Sequence, residues 1–213
     1  MEHSEIVVVA AGPGPSHLPG LPADALVIAA DGGLERCARL GLRADVVVGD
    51  LDSADPGALA VAQERGAEVQ RHPARKDATD LELALDEALA RGAARVLVVA
   101  SAEGRLDHLL SSLLLLANER YAGVEVDALV GSARVAVVHG ERRIDGAPGD
   151  TLTLLALHGP AEGVRTEGLE YPLHGERLDP GSSRGVSNVF SARVATVSLE
   201  RGVLLAILPG GEG

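Results

Sequence analysis

Two carboxylates one residue apart, in Gly49-Asp50-Leu51-Asp52-Ser53, directly follow the run Val46-Val47-Val48. Consecutive β-branched residues with apolar neighbours read as a buried parallel strand. Open α/β sheets bind small molecules at the carboxyl ends of such strands. If strand geometry persists, Asp50 and Asp52 point the same way. Unpaired carboxylates about 4 Å apart repel by about 4 kcal/mol at an effective dielectric of 20. A hard divalent cation such as Mg²⁺, which takes oxygen ligands, relieves that repulsion. The structural alternative is that Asp52 or Asp55 merely caps the next helix, with Pro56 at its first position. That alternative suits Asp55.

Three other stretches carry similar chemistry. Asp31-Gly32-Gly33 ends the apolar run 25–30 and opens a helix. It sets a carboxylate at a second strand end beside glycines that allow a ligand close to the backbone. The competing reading is a tight strand-to-helix turn. In Arg75-Lys76-Asp77-Ala78-Thr79-Asp80-Leu81-Glu82, Thr79 and Glu82 fit a capping box and Asp80 suits the helix dipole. Capping does not account for Lys76 and Asp77. Gly104-Arg105-Leu106-Asp107-His108 follows the strand-like run Val96–Ala100. It brings a guanidinium, whose planar fork suits phosphate oxygens, to the same sheet edge. Alternatively Arg105 simply pairs with Asp107 or a nearby acid. His108 alone is a weak signal, and no HExxH spacing occurs among the histidines.

These residues need a scaffold of parallel strands, and the chain supplies one. Apolar runs at 6–11, 25–30, 46–48, 69–71, 96–100 and 124–130 alternate with helical patterns at 34–40, 56–65 and 109–121 and with a helical stripe of Leu81, Ala84, Leu85, Ala88 and Leu89. The spacing predicts an α/β domain with a mostly parallel sheet and helices on both faces. Gly12-Pro13-Gly14-Pro15 is a loop and not a dinucleotide fingerprint, since the glycine spacing is wrong and the prolines lack amide donors. After about residue 131 the helical patterns stop. Short strand-like runs at 134–138, 151–157, 192–199 and 203–208, with turns between them, predict an all-β domain, an antiparallel sandwich or roll. The expected division is 1–131 and 132–213.

Composition narrows the function. The 213 residues carry a formal charge of −12, which disfavours polyanion binding through a basic surface. Aromatics are limited to Phe190, Tyr121 and Tyr171, too few for base-stacking platforms. The single Cys37 excludes an internal disulfide and a cysteine-built zinc site. No signal peptide or membrane span is legible, so the default expectation is a soluble cytoplasmic protein. In the β half, Gly168-Leu169-Glu170-Tyr171-Pro172-Leu173 and Val186-Ser187-Asn188 stand out, each also readable as a packing anchor or a turn.

Taken together and in this order, the Asp31, Asp50–Asp52, Lys76–Glu82, Gly104–His108, Gly168–Leu173 and Val186–Asn188 motifs resemble the thiamine pyrophosphokinase (thiamin diphosphokinase) family, from about Ile6 to Leu208. The resemblance implies a sandwich-like form for the all-β domain and a homodimer using Mg²⁺ to move a pyrophosphoryl group from ATP to the hydroxyl of thiamine, releasing AMP. It implies that Asp50, Asp52, Asp77 and Asp80 form the metal and catalytic site together with Arg105. It puts Asp31, Gly32, Lys76, Thr79, Arg105, Asp107 and His108 on the nucleotide and phosphate side. Tyr171, Ser187 and Asn188 fall on the thiamine side, where an aromatic face suits a cationic ring. The chain departs from the family at Ala100-Ser101-Ala102-Glu103-Gly104, where Glu103 brings a negative charge into a usually glycine-rich run. Two other readings use the same residues: a pyrophosphokinase acting on another alcohol, such as a hydroxymethylpterin, or a non-catalytic thiamine- or nucleotide-binding sensor.

Overall fold

A computed structural model of the chain describes residues 5–15, 18, 20–22, 24–73 and 77–210. It divides into two compact units, one of residues 1–112 and 123–132, the other of residues 113–122 and 133–213.

In the first unit six strands, β1 (Glu5–Val9), β2 (Leu26–Ala30), β3 (Val46–Gly49), β4 (Glu68–Arg71), β5 (Arg95–Ala100) and β6 (Glu125–Val130), pair in parallel in the order β4-β3-β2-β1-β5-β6. Val7, Val9, Val27, Ala29 and Val47 turn to one face. There they share a core with Leu34 and Cys37 of α1 (Gly33–Arg39) and Leu59 and Ala62 of α2 (Pro56–Glu64). Helix α3 (Asp80–Ala90) packs on β1, β2 and β3 and takes no part in that core. Alternate residues such as Val8 and Ile28, also fully buried, point the other way. Strand order reverses between β1 and β5, the position where sheets of this type open a crevice.

The Arg36 guanidinium, only 2% exposed, fills the base of that crevice. It donates to the carbonyls of Ala10 and Val99 at 3.4 Å and of Ala100 at 3.3 Å. Burial and the charge of Arg39 pull its pKa down. Gly33 is glycine for a packing reason: a Cβ there would lie 1.9 Å from the Val9 carbonyl oxygen.

The second unit holds β7 (Ala133–Val138), β8 (Glu141–Asp145), β9 (Thr151–Glu167), β10 (His174–Leu178), β11 (Asn188–Val189), β12 (Val194–Ser198) and β13 (Arg201–Leu208). All pair antiparallel, in the order β7-β13-β9-β12-β8, with β10 and β11 also on β9. The core is aliphatic apart from Phe190, which is fully buried. Its ring lies so close to Gly146 that a Cβ there would meet it at 2.7 Å.

Strands β8, β10 and β11 were not expected from the sequence, and two other elements run differently from the expectation. The helix expected over 109–121 is α4 (Leu106–Leu116), followed by a separate 3-10 turn at Glu119–Tyr121. The Asn118 side chain accepts from the Arg120 amide at 3.0 Å, and that local bond restarts the chain where a continuous helix was expected. Strand β9, expected to stop at Leu157, continues through Gly159-Pro160 to Glu167. A proline normally ends a strand because it removes a ladder donor. Here it falls at a register shift, where pairing with β13 jumps from Leu157–Val203 to Glu162–Arg201. β9 then passes to β10 and β12. Among the described residues no helix is long and apolar enough to cross a membrane.

Phe190 is the one bulky ring in a core of small aliphatics. Phe190→Ala is expected to cost about 3–5 kcal/mol in urea unfolding followed by far-UV circular dichroism, whereas Phe190→Leu should recover most of that loss.

Candidate active site

Three carboxylates meet at the carboxyl ends of β2 and β3. Asp31, Asp50 and Asp52 each offer a ligand oxygen, and these atoms lie within 4.8 Å of one another. The backbone is bent to achieve this. Asp31 and Leu51 sit at φ 46 and 63, left-handed values that are costly for residues other than glycine, and Gly49 lies at φ 150. The bend at Leu51 turns its side chain into the core and leaves Asp50 and Asp52 facing out. The Asp50 carboxylate accepts the Asp52 amide at 3.2 Å, and the Ser53 hydroxyl donates to Asp52 at 3.0 Å. Asp80, first residue of α3, approaches the same place. Its Oδ1 is 2.9 Å, and the Asp31 Cβ 3.1 Å, from where a Cβ on Gly49 would stand. Glycine at 49 is thus what allows acids from three elements to converge.

Asp31 is the most buried of these acids, at 8% exposed, and its Oδ1 has no hydrogen-bond partner. Burial raises its pKa. The nearby Gly32 amide and Ser53 hydroxyl oppose the rise, while the charges of Asp80 and Asp50 add to it. A buried carboxylate oxygen without a partner, among further carboxylate oxygens, is a donor set suited to a hard divalent cation.

The other expected site residues are distributed as follows. Thr79 caps α3, its hydroxyl accepting from the Glu82 amide at 3.2 Å. Asp77 is exposed just before that cap and does not join the three-acid group. Lys76 lies outside the described residues. Arg105 and Asp107 form the mutual pair foreseen as an alternative: Nε and Nη2 of the arginine donate to the carboxylate at 3.2 and 2.6 Å. The pairing raises the arginine's pKa and lowers the aspartate's, and both side chains are exposed. His108 and Glu103 are exposed as well. The Glu103 amide donates to the Ser101 hydroxyl at 2.9 Å, holding the loop before Arg105 in a tight turn. Beside the acids, a cleft of about 730 Å³ lies between the loop Ala11–Pro15 and α1, bordered by Gly32, Arg36, Arg39 and Ser53.

Asp31 belongs to the metal-capable group, although its motif suggested the nucleotide side. Its signal in the sequence is the same as that of Asp50, an acid at the end of a strand. Arg36 was not legible, because nothing local distinguishes a buried helical arginine from an exposed one.

In the second unit, Tyr171 is 59% exposed and Asn188 is buried at 6%. Ser187 is exposed at φ 58, and its amide donates to the Thr153 hydroxyl at 3.1 Å.

Two family models match the chain: the catalytic domain of thiamin pyrophosphokinase over residues 21–127 and its vitamin B1 binding domain over residues 138–204. No curated protein sequence matches it. Among solved structures, the Enterococcus faecalis thiamin pyrophosphokinase family protein is similar, with TM-score 0.83 and 27% identity, covering 98% of this chain and 100% of that one. Thiamine pyrophosphokinase from Bacillus subtilis, at 24% identity, shares the fold with TM-score 0.85 over 98% of this chain and 100% of that one. The yeast enzyme, at 12% identity and TM-score 0.71, shares it over 98% and 87%.

Asp31 makes the metal-free protein sensitive to pH in a definite sense. A carboxyl whose folded pKa is raised favours the folded state below its usual value of 3.8 and withdraws that support as pH rises through the folded value. Asp31→Asn is therefore expected to melt higher than the wild type at neutral pH in chelator, with the advantage fading toward pH 3.8. Adding Mg²⁺ should raise the wild-type melting temperature, with a stabilisation near 2.7 kcal/mol at about 100 times the dissociation constant. Asp31→Asn and Asp50→Asn should respond little. Calorimetric melting with and without Mg²⁺ measures all three.

Proposed function

The chain belongs to the thiamin pyrophosphokinase family, and on that footing we propose how its residues carry the family's reaction, transfer of a pyrophosphoryl group from ATP to the hydroxyl of thiamine to give thiamine diphosphate and AMP. The observation that carries the proposal is the convergence of Asp31, Asp50 and Asp52, with a buried unpartnered oxygen among them, inside the span of the catalytic domain.

The thiamine hydroxyl oxygen forms a bond to the β-phosphorus, the bond from that phosphorus to the oxygen bridging to the α-phosphate breaks, and AMP leaves with the electron pair. The hydroxyl proton passes to solvent or to the leaving phosphate. Asp31, Asp50, Asp52 and Asp80, with Asp77 close in sequence, are the residues that would hold Mg²⁺. When bound, the ion offsets charge on the polyphosphate oxygens, without which four or five carboxylates would repel ATP. Lys76 and Arg105 stabilise charge on the equatorial oxygens of the transferring group. Arg105 does this from its ion pair with Asp107, which holds the guanidinium by Nε and one terminal nitrogen and leaves the other terminal nitrogen for phosphate. Gly32, Thr79 and His108 complete the nucleotide side. A strong general base is not required, since phosphoryl transfer through a loose transition state gains most from positioning and charge. On the thiamine side we place Tyr171, Ser187 and Asn188.

We further propose a homodimer in the cytoplasm. An exposed apolar stripe on α4, made by Leu106, Leu110 and Leu114 at successive turns, supports a second copy as its cover. Light scattering is expected to give twice the 21.8 kDa chain mass, and Leu110→Glu to shift it toward one. A wild-type monomer at micromolar concentration would rule the dimer out.

Incubation with ATP, Mg²⁺ and thiamine should yield AMP and thiamine diphosphate in equal amounts. Turnover should require the divalent ion, and Asp50→Asn should lower it about 100-fold or more, the factor corresponding to several kcal/mol of lost charge stabilisation. Product from a hydroxymethylpterin and none from thiamine would reassign the substrate. Ligand binding without AMP release would make the protein a sensor.

A further inference from the structure

We propose that Asn188 is a positioning residue that acts on substrate through Tyr171: its side-chain amide clamps the tyrosine's main chain and so fixes the one aromatic ring this protein can offer to a cationic heteroaromatic ligand. The proposal deepens the thiamine reading above and rests on it for the identity of the ligand.

The chain has three aromatic residues and no tryptophan. Phe190 is fully buried and Tyr121 is 2% exposed, so Tyr171, at 59%, is the only ring with a free face. Recognition of a cationic ring by an aromatic face on this chain therefore falls to Tyr171. A single exposed tyrosine on a loop would ordinarily be mobile. Here the loop is tied down rung by rung. At its base the Thr166 amide donates to the Leu173 carbonyl at 3.0 Å, and the Leu173 amide donates to the Thr166 hydroxyl at 2.9 Å. Further along, Ser191 donates to the Gly168 carbonyl and Glu170 to the Val189 carbonyl, both at 2.9 Å. The main-chain ladder then runs out, because the residue after Tyr171 is Pro172.

The Asn188 carboxamide supplies the next rung. Its oxygen accepts the Tyr171 amide at 3.1 Å, and its nitrogen donates to the Tyr171 carbonyl at 2.7 Å. One side chain thus satisfies both main-chain groups of Tyr171, as a facing peptide would. The same oxygen also accepts the Val189 amide at 2.9 Å. Asn188 is itself seated by pairing with Leu152 of β9, and the preceding residue by the Ser187–Thr153 bond. At 6% exposure, with oxygen and nitrogen already engaged, its amide is committed to the loop, so its effect on a ligand is exerted by where it holds the ring.

The chain's two tyrosines and lack of tryptophan make the test direct. In a Tyr121→Phe background, tyrosine fluorescence reports Tyr171 alone. Asn188→Ala is expected to lower its steady-state anisotropy and raise its quenching by acrylamide, with far-UV circular dichroism unchanged. Asn188→Asp should do the same. It keeps the acceptor but replaces the donor with an anion 2.7 Å from a carbonyl oxygen. Thiamine affinity, measured by calorimetry in the unmodified background, should fall roughly tenfold in Asn188→Ala, the size of a cation–π contact. Tyr171→Ala should lose about as much, and the double variant should lose no more than Tyr171→Ala alone. Unchanged anisotropy with weakened thiamine binding, or losses that add in the double variant, would overturn the proposal and make Asn188 a direct contact. If Asn188→Ala does not fold, Asn188→Asp decides by the same readouts. Wild-type protein that fails to bind thiamine would overturn the ligand assignment, while the anisotropy still decides whether the clamp exists.

Discussion

Everything in the first unit answers to one electrostatic constraint: acids that repel one another must be held close without their counter-charge. A pair of carboxylates at 4 Å repels by about 4 kcal/mol at an effective dielectric of 20. Here Asp31, Asp50 and Asp52 are gathered with Asp80 beside them. The carboxylates cannot hydrogen-bond one another, since each only accepts. Their grouping is imposed from below by parallel strands β2 and β3, whose ends are fixed in register, and by left-handed turns at Asp31 and Leu51 that the buried core enforces. Gly49 leaves the room that α3 needs to bring in Asp80. Arg36, reaching under the ends of β1 and β5, secures the adjoining strand ends by donating to their carbonyls.

The second unit solves a different problem. Its charges are paired in opposite signs, as where Glu162 meets Arg177 and Arg201, and its shape rests on an aliphatic core around one phenylalanine and on loops tied to their neighbours by hydrogen bonds. The Gly168–Pro172 loop is the clearest case. Its ladder ends at a proline, and a side-chain amide from β11 continues it. The stiffness of that loop comes from hydrogen bonds in a protected setting, each of which is modest alone but costly to leave unmade.

Much of this was legible in the sequence, and the parts that were not share a cause. The parallel sheet could be read from its valine runs, and Asp31, Asp50 and Asp52 from their place just after those runs, because burial on both faces of a strand leaves a continuous apolar signature. Thr79 as the cap of α3 was legible from capping chemistry alone. The passage of β9 through Gly159-Pro160 was not, because only the partner strand reveals that the proline meets a register shift. The end of α4 was missed for a similar reason: no glycine or proline interrupts the chain between Leu116 and Tyr121, but Asn118 diverts the backbone locally. Arg36 and Asn188 were beyond reach in their actual roles, since both act by reaching main-chain groups far away in sequence.

The position of β13 has a consequence for how the chain is made. It is the inner strand between β7 and β9, paired with Val138 on one side and Ala156 on the other through Leu204, yet it follows both by dozens of residues. During synthesis, at about 5–20 residues per second, β7 and β9 emerge several seconds before the strand that must lie between them. The first unit has all six of its strands by Val130 and can close early. The second must keep two apolar strands apart, open to chaperones and to other nascent chains, until its last strand leaves the ribosome. For this protein the window of exposure to misassembly is set by topology, and it falls almost wholly on the β unit.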